Sequence, residues 1–230
     1  MTKRGRPGGG FNAYRKPDRY AEAAKKQGYV ARSVFKLEEI DRRVHLLKGG
    51  LRVLDLGAAP GSWSQYAAKK ISGSGRLLAV DRKAIEAPLP PQVKTLVGDA
   101  LTLGPELELF APYDVVLSDM APETMGHKET DKIRSFELFC RAVNVAAALG
   151  APGGSFVGKI FMGRQFVEAR SLLRQHYAKV RTLRPEAVRG ISYEVFLVGL
   201  DKRAVPTAPG SPGMATDADD DDDDDGDDQS

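Results

Sequence analysis

From Leu51 onward, short apolar runs alternate with longer stretches of helical period. The runs at 52–57 (RVLDLG), 76–81 (RLLAVD), 93–98 (VKTLVG), 113–118 (YDVVLS), 155–161 (SFVGKIF), 179–184 (KVRTLR) and 193–200 (YEVFLVGL) have strand length and strand composition. Between them, helical spacing predicts helices over 62–71, 131–149 and 164–177. Two further helical segments precede the first strand, near 18–28 and 31–46. In the second, Val34, Leu37, Ile40, Asp41 and Val44 recur every three or four residues, with Arg32, Lys36 and Arg43 off the stripe. Strands and helices that alternate this way predict an α/β fold of Rossmann-like type. Its seven-stranded, mainly parallel sheet would carry helices on both faces.

The two ends of the chain break the pattern. Residues 1–17 are rich in Gly, Arg, Lys and Pro, show no apolar period, and read as a flexible basic arm. Residues 203–230 read as a Pro/Gly/Ala linker followed by an almost pure aspartate run, expected to be disordered because it repels itself and has nothing to bury. The folded unit is expected over 18–202.

Charge sharpens this division. The formal net charge is only +3, but ten aspartates fall within 217–228, so residues 1–216 hold 34 basic against 21 acidic side chains. The first 32 residues alone carry nine basic and two acidic ones. Such an excess suits a polyanion such as RNA, and it also suits a plain solubility charge; both readings stand at this point. No run reaches the roughly 18 apolar residues of a membrane span, and the basic amino terminus lacks a signal-peptide core, so a cytoplasmic protein that does not engage membranes is expected. The one cysteine, Cys140, agrees with a reducing compartment and reads as a small apolar residue on the helix near 131–149.

Candidate chemistry begins at the first strand. Val53-Leu54-Asp55 runs into Gly57-Ala58-Ala59-Pro60-Gly61, and a helix follows from Ser62. A strand, a glycine turn and a helix form the ligand-holding corner of a parallel sheet. This turn has neither GxGxxG spacing nor a Gly-Lys-Ser/Thr ending, so a ligand without phosphates fits better than a dinucleotide or a nucleoside triphosphate. The pattern predicts that four strands in succession end on a carboxylate: Asp55, Asp81, Asp99 and Asp119. Carboxylates at neighbouring strand ends are expected to converge on one crevice, where Asp81 suits ribose hydroxyls and Asp99 an adenine amino group. His45, His127 and His176 lack ligand spacing, so no metal is expected. The polar segment 122–131 reads as a loop over the crevice or as an ordinary connection.

In ARSVFKLEEID, VLDLGAAPGSWSQY, VLSDMAP, LGAPGGSFVGKIF and SYEVFLV the chain resembles the FtsJ/RrmJ-type RNA 2′-O-ribose methyltransferases. More narrowly, it resembles the bacterial enzymes that methylate a uridine of large-subunit (23S) ribosomal RNA. The likeness runs from about Asp18 to Leu200. It implies S-adenosylmethionine as cofactor, contacted by Gly61, Trp63, Asp81, Asp99 and Asp119. It also implies a catalytic tetrad of Lys36, Asp119, Lys159 and Glu194. The partner it implies is ribosomal RNA within the assembled large subunit, and a monomer is expected. Two features depart from the family: Glu123 stands where asparagine is usual, and the aspartate tail is no family feature.

The tetrad is physically sensible. A ribose hydroxyl is a poor nucleophile, and transfer from a sulfonium needs oxygen, carbon and sulfur in line, a geometry worth several kcal/mol when it is held. Lys159 interrupts an apolar strand between Phe156-Val157 and Ile160-Phe161, which calls for a partner or a task. It would either accept the hydroxyl proton or steer the oxygen. Lys36 nearby favours the first role, Asp119 and Glu194 the second. Other readings are a transfer-RNA methyltransferase, a ribosome assembly factor with secondary catalysis and, more distantly, a nicotinamide-dependent dehydrogenase.

Overall fold

The computed structural model describes residues 18–204 except 103, 124–125 and 189–191. The expected basic arm and all but the first two residues of the expected linker and acidic tail lie outside the described residues.

Seven strands form one sheet: β1 (Arg52–Leu56), β2 (Arg76–Asp81), β3 (Val93–Val97), β4 (Tyr113–Ser118), β5 (Gly150–Phe161), β6 (Tyr177–Leu183) and β7 (Glu194–Lys202). Their order is β3-β2-β1-β4-β5-β7-β6. Pairing is parallel from β3 through β5, while β7 runs antiparallel to both β5 and β6. The sheet is therefore mainly parallel, as the alternation predicts.

Helices α1 (Arg19–Lys26), α2 (Val34–Val44) and α3 (Ser62–Ile71) belong to one face, and α4 (Lys128–Leu149) and α5 (Phe166–His176) to the other. The first face buries Leu37, Ile40, Ala67 and Ile71 against Val53, Val157 and Phe196. The second buries Phe139, Val143 and Leu173 against Leu54, Leu56, Phe156 and Ile160. A strand covered on both sides reads as a continuous apolar run, which is why β1, β2 and β4 stand out so clearly. Each fully buried Leu or Phe contributes roughly 1.5–3 kcal/mol of transfer free energy.

Local chemistry sets several boundaries. Asp18 caps α1, accepting from the Tyr20 amide at 3.2 Å, and also takes the Arg32 guanidinium at 2.7 Å. Asp41 is the one acidic residue on the otherwise apolar stripe of α2. Its buried carboxylate accepts from the Leu47 amide and the Tyr66 hydroxyl, both at 2.8 Å, and so ties the end of α2 to α3. Strand β5 starts five residues ahead of the expected 155, because Gly150 pairs with Tyr113 before a register shift admits the glycine turn. Helix α4 starts at Lys128, so the loop expected over 122–131 ends earlier; Glu129 and Asp131 in its first turn suit a helix amino terminus.

Candidate active site

The sheet reverses its winding between β1 and β4, each of which feeds a turn at its carboxyl end. A crevice of about 570 Å³ opens there, lined by Gly57, Asp81, Asp99, Asp119 and Met120 among others. That size suits a nucleoside-sized ligand. Gly57 has φ +76°, and a Cβ on it would stand 2.8 Å from the Met120 side chain, so the turn can pass this close to β4 only as glycine.

Asp81 is held from both sides. Its Oδ2 accepts from the Ala59 amide at 3.0 Å and its Oδ1 from the Lys83 amide at 2.8 Å. Each oxygen keeps a further lone pair, an arrangement suited to a vicinal diol. Asp99 accepts from the Leu101 amide at 2.9 Å. Glu123 pairs with Arg82 at 3.4 Å across the exposed rim, which puts the departure from the family at the mouth of the crevice and not at its floor.

The expected convergence of four carboxylates holds for three. Asp55 is fully buried, one step short of the strand end, and its Oδ2 accepts from the Ser64 hydroxyl of α3 at 2.6 Å. Burial, reinforced by Asp119 and Asp81 nearby, pushes its carboxyl up to about 7 despite the Ser64 hydrogen bond. Gly61 and Trp63 also stand apart from the crevice lining. Gly61, at φ +115°, begins α3 where a Cβ would collide with Ala87 at 2.5 Å and Ile85 at 2.8 Å. Trp63 is 2% exposed; its indole N–H donates to the Ser33 carbonyl at 2.8 Å and its ring lies 5.7 Å from that of Phe196.

Beside the crevice lie two buried ion pairs. Lys159 Nζ stands 2.9 Å from Asp119 Oδ1 and donates to the Asp119 backbone carbonyl at 2.6 Å. Lys36 pairs with Glu194. Register explains the assembly: Lys159 sits opposite Phe196 and Phe161 opposite Glu194, so all four project from one face of β5 and β7. The Lys36 ammonium reaches this face from α2 and lies 5.8 Å from the centre of the Phe196 ring. Lys159 is only 6% exposed. Burying paired charges gains little stability, so two such pairs side by side point to a task. Asp119 belongs to both features, lining the crevice and holding Lys159.

Sequence reasoning passed over Met120, and also Arg134, Glu137 and Leu138, which line the crevice from α4. The helical spacing of these last three was a usable signal, but it gained meaning only once α4 was seen to border the crevice. Cys140 behaves as read: it is half-buried, and burial together with Glu168 and Glu137 raises its thiol. Among the described residues no cluster of His, Cys, Asp and Glu could hold a metal ion, and no helix is long and apolar enough to cross a membrane.

Sheet order, the antiparallel seventh strand and a crevice without a phosphate cradle put the chain among the Rossmann-like methyltransferases. Residues 29–202 match the FtsJ-like methyltransferase family, and the chain belongs to it. It is 62% identical over 194 residues to the ribosomal RNA large subunit methyltransferase E of Sorangium cellulosum, an alignment covering 84% of this chain and 92% of that one. The Myxococcus xanthus protein of the same name is 46% identical over 200 residues, covering 85% and 93%. Among solved structures, a Plasmodium falciparum protein described as a ribosomal RNA methyltransferase superposes with a TM-score of 0.67 at 25% identity, covering 76% of this chain and 98% of that one.

Proposed function

We propose that the protein transfers a methyl group from S-adenosylmethionine to the 2′-hydroxyl of a uridine ribose in large-subunit (23S) ribosomal RNA, acting in the cytoplasm as a monomer on the assembled subunit. The observation that carries this reading is the buried Lys159–Asp119 pair at the edge of the crevice. The names of the relatives support the substrate class.

S-adenosylmethionine supplies an electrophilic methyl group on a sulfonium. Asp81 would take the ribose hydroxyls of this cofactor, Asp99 its adenine amino group, and Asp119 the cationic end, while Gly57 lets the backbone approach. Gly61 and Trp63 would hold the wall that supports these contacts. Lys159 directs two of its interactions at Asp119, which leaves an N–H to hold the substrate oxygen in line with the methyl carbon. That geometry favours steering over proton abstraction. Lys36 and Glu194 fix the far side of the same face. All four come from one chain, which suits a monomer. The basic excess outside the aspartate run, with Arg and Lys between 3 and 32, would meet the phosphates.

The test is transfer of labelled methyl to large ribosomal subunits lacking ribose methylation, with free ribosomal RNA and transfer RNA alongside. Ribose label on the subunit that is lost in Lys159→Ala is the expected result. Label on transfer RNA alone moves the substrate. Cofactor binding without transfer to any RNA favours an assembly factor. Lys159→Arg separates the two lysine roles: partial activity supports steering, because arginine keeps the N–H donors but cannot take a proton.

A further inference from the structure

Asp55 has no place in the chemistry above, yet it is the most enclosed carboxyl beneath the crevice. It pairs in register with Ala79 on β2 and Leu117 on β4. Asp81 and Asp119 lie two residues further along those strands, so all three carboxyls point to the same face, with Asp55 roughly 7 Å deeper along the strands. The groups that face it are Ser64 from α3, Asp81 from β2 and Asp119 just past the end of β4, the last already paired with Lys159 of β5. Its Oδ1 is buried without a hydrogen-bond partner. Ser64 donates its hydroxyl to Oδ2, a hydrogen bond that favours the ionised form and partly offsets burial.

We propose that Asp55 is a positioning residue that tells the charged methyl donor from the neutral product: it holds its proton more tightly while no sulfonium is in the crevice and releases more of it to solvent when a sulfonium enters. The inference rests on the cofactor reading given above. Donor and product share the adenosine, the amino group and the carboxylate; they differ by the methyl group and the positive charge on sulfur. An ionised Asp55 is opposed by burial and by its two acidic neighbours. A cation arriving above Asp119 offsets the repulsion from the two carboxylates, so ionisation of Asp55 costs less, although burial still opposes it. After transfer the sulfur is a thioether, Asp55 takes its proton back, and the product loses an attraction that the donor had. Because the Asp55 carboxyl sits near 7 in the free protein, the exchange falls within the working range of pH.

The test is calorimetric titration of the full chain with S-adenosylmethionine and, separately, S-adenosylhomocysteine, at pH 7 in buffers of different ionisation enthalpy. The wild type should release about half a proton more with the donor than with the product. Its preference for the donor should grow about tenfold between pH 6 and pH 8. In Asp55→Asn both differences should vanish while both ligands still bind. Ser64→Ala keeps the carboxyl but removes a hydrogen bond that favours its ionised form, so it should move the profile to higher pH; it serves if the asparagine variant does not fold. Equal proton release for the two ligands in the wild type, or a difference that survives in Asp55→Asn, overturns the proposal. If neither ligand binds the wild type, the cofactor reading falls, and this inference with it.

Discussion

Individual side chains in this protein are most informative where they break a pattern. Asp55 carries a stability consequence of its own. Its folded-state carboxyl lies above the unfolded value, so the stability it contributes is present below about 3.8 and is lost as pH rises through about 7. Asp55→Asn removes that loss. Urea unfolding at pH 5 and pH 8 should show the wild type losing roughly 2–3 kcal/mol more than the variant, because about two pKa steps, from pH 5 to about 7, fall in this interval at about 1.36 kcal/mol each. Trp63→Phe keeps the ring against Phe196 and removes only the N–H donated to Ser33; the expected cost is about 1 kcal/mol, read by thermal melting. Cys140 should react slowly with iodoacetamide at pH 7.5, because its raised thiol leaves little thiolate, and denaturant should speed the reaction. Lys159 was legible in the sequence because a charge in an apolar strand is rare. Trp63 was legible as a residue with a role, but the bond from its indole N–H to the Ser33 carbonyl was not, since no spacing rule gives a side chain's hydrogen-bond partner.

The strands and helices were legible almost in full, since each buried strand has to be an apolar run and each covering helix has to show a stripe. What escaped lay at the junctions. The early start of β5 depends on a pairing between Gly150 and Tyr113, 37 positions apart in the chain, and a one-dimensional pattern does not record it. Asp55 was placed with the other strand-end acids because the apolar run does not say how deep in the sheet it lies; the register with Ala79 and Leu117 sets it two residues short of Asp81 and Asp119. The glycine turn after β1 yields a prediction at this scale. Gly57→Ala puts a Cβ against Met120 in a left-handed backbone that costs roughly 1–2 kcal/mol per residue. Affinity for S-adenosylmethionine, measured by calorimetry, should fall by at least about tenfold with the sheet intact by circular dichroism.

At the scale of the whole molecule, charge separates the body from the aspartate run. Affinity for ribosomal RNA should drop steeply between 50 and 200 mM salt, by roughly a thousandfold if six phosphates are met. Removing 217–230 takes away all ten aspartates of the run, so RNA affinity at low salt should rise; an unchanged value would assign the run no part in binding. The antiparallel course of β7 has one more consequence. It brings Glu194, the first residue of the strand, up to Lys159 and Lys36, so the tetrad draws on positions 36 through 194 of the chain. As the polypeptide leaves the translating ribosome, β1 to β4 emerge long before that strand does. A nascent chain that stops short of β7 thus holds most of the crevice but lacks Glu194, and if the four residues act together as proposed, it should transfer no methyl group.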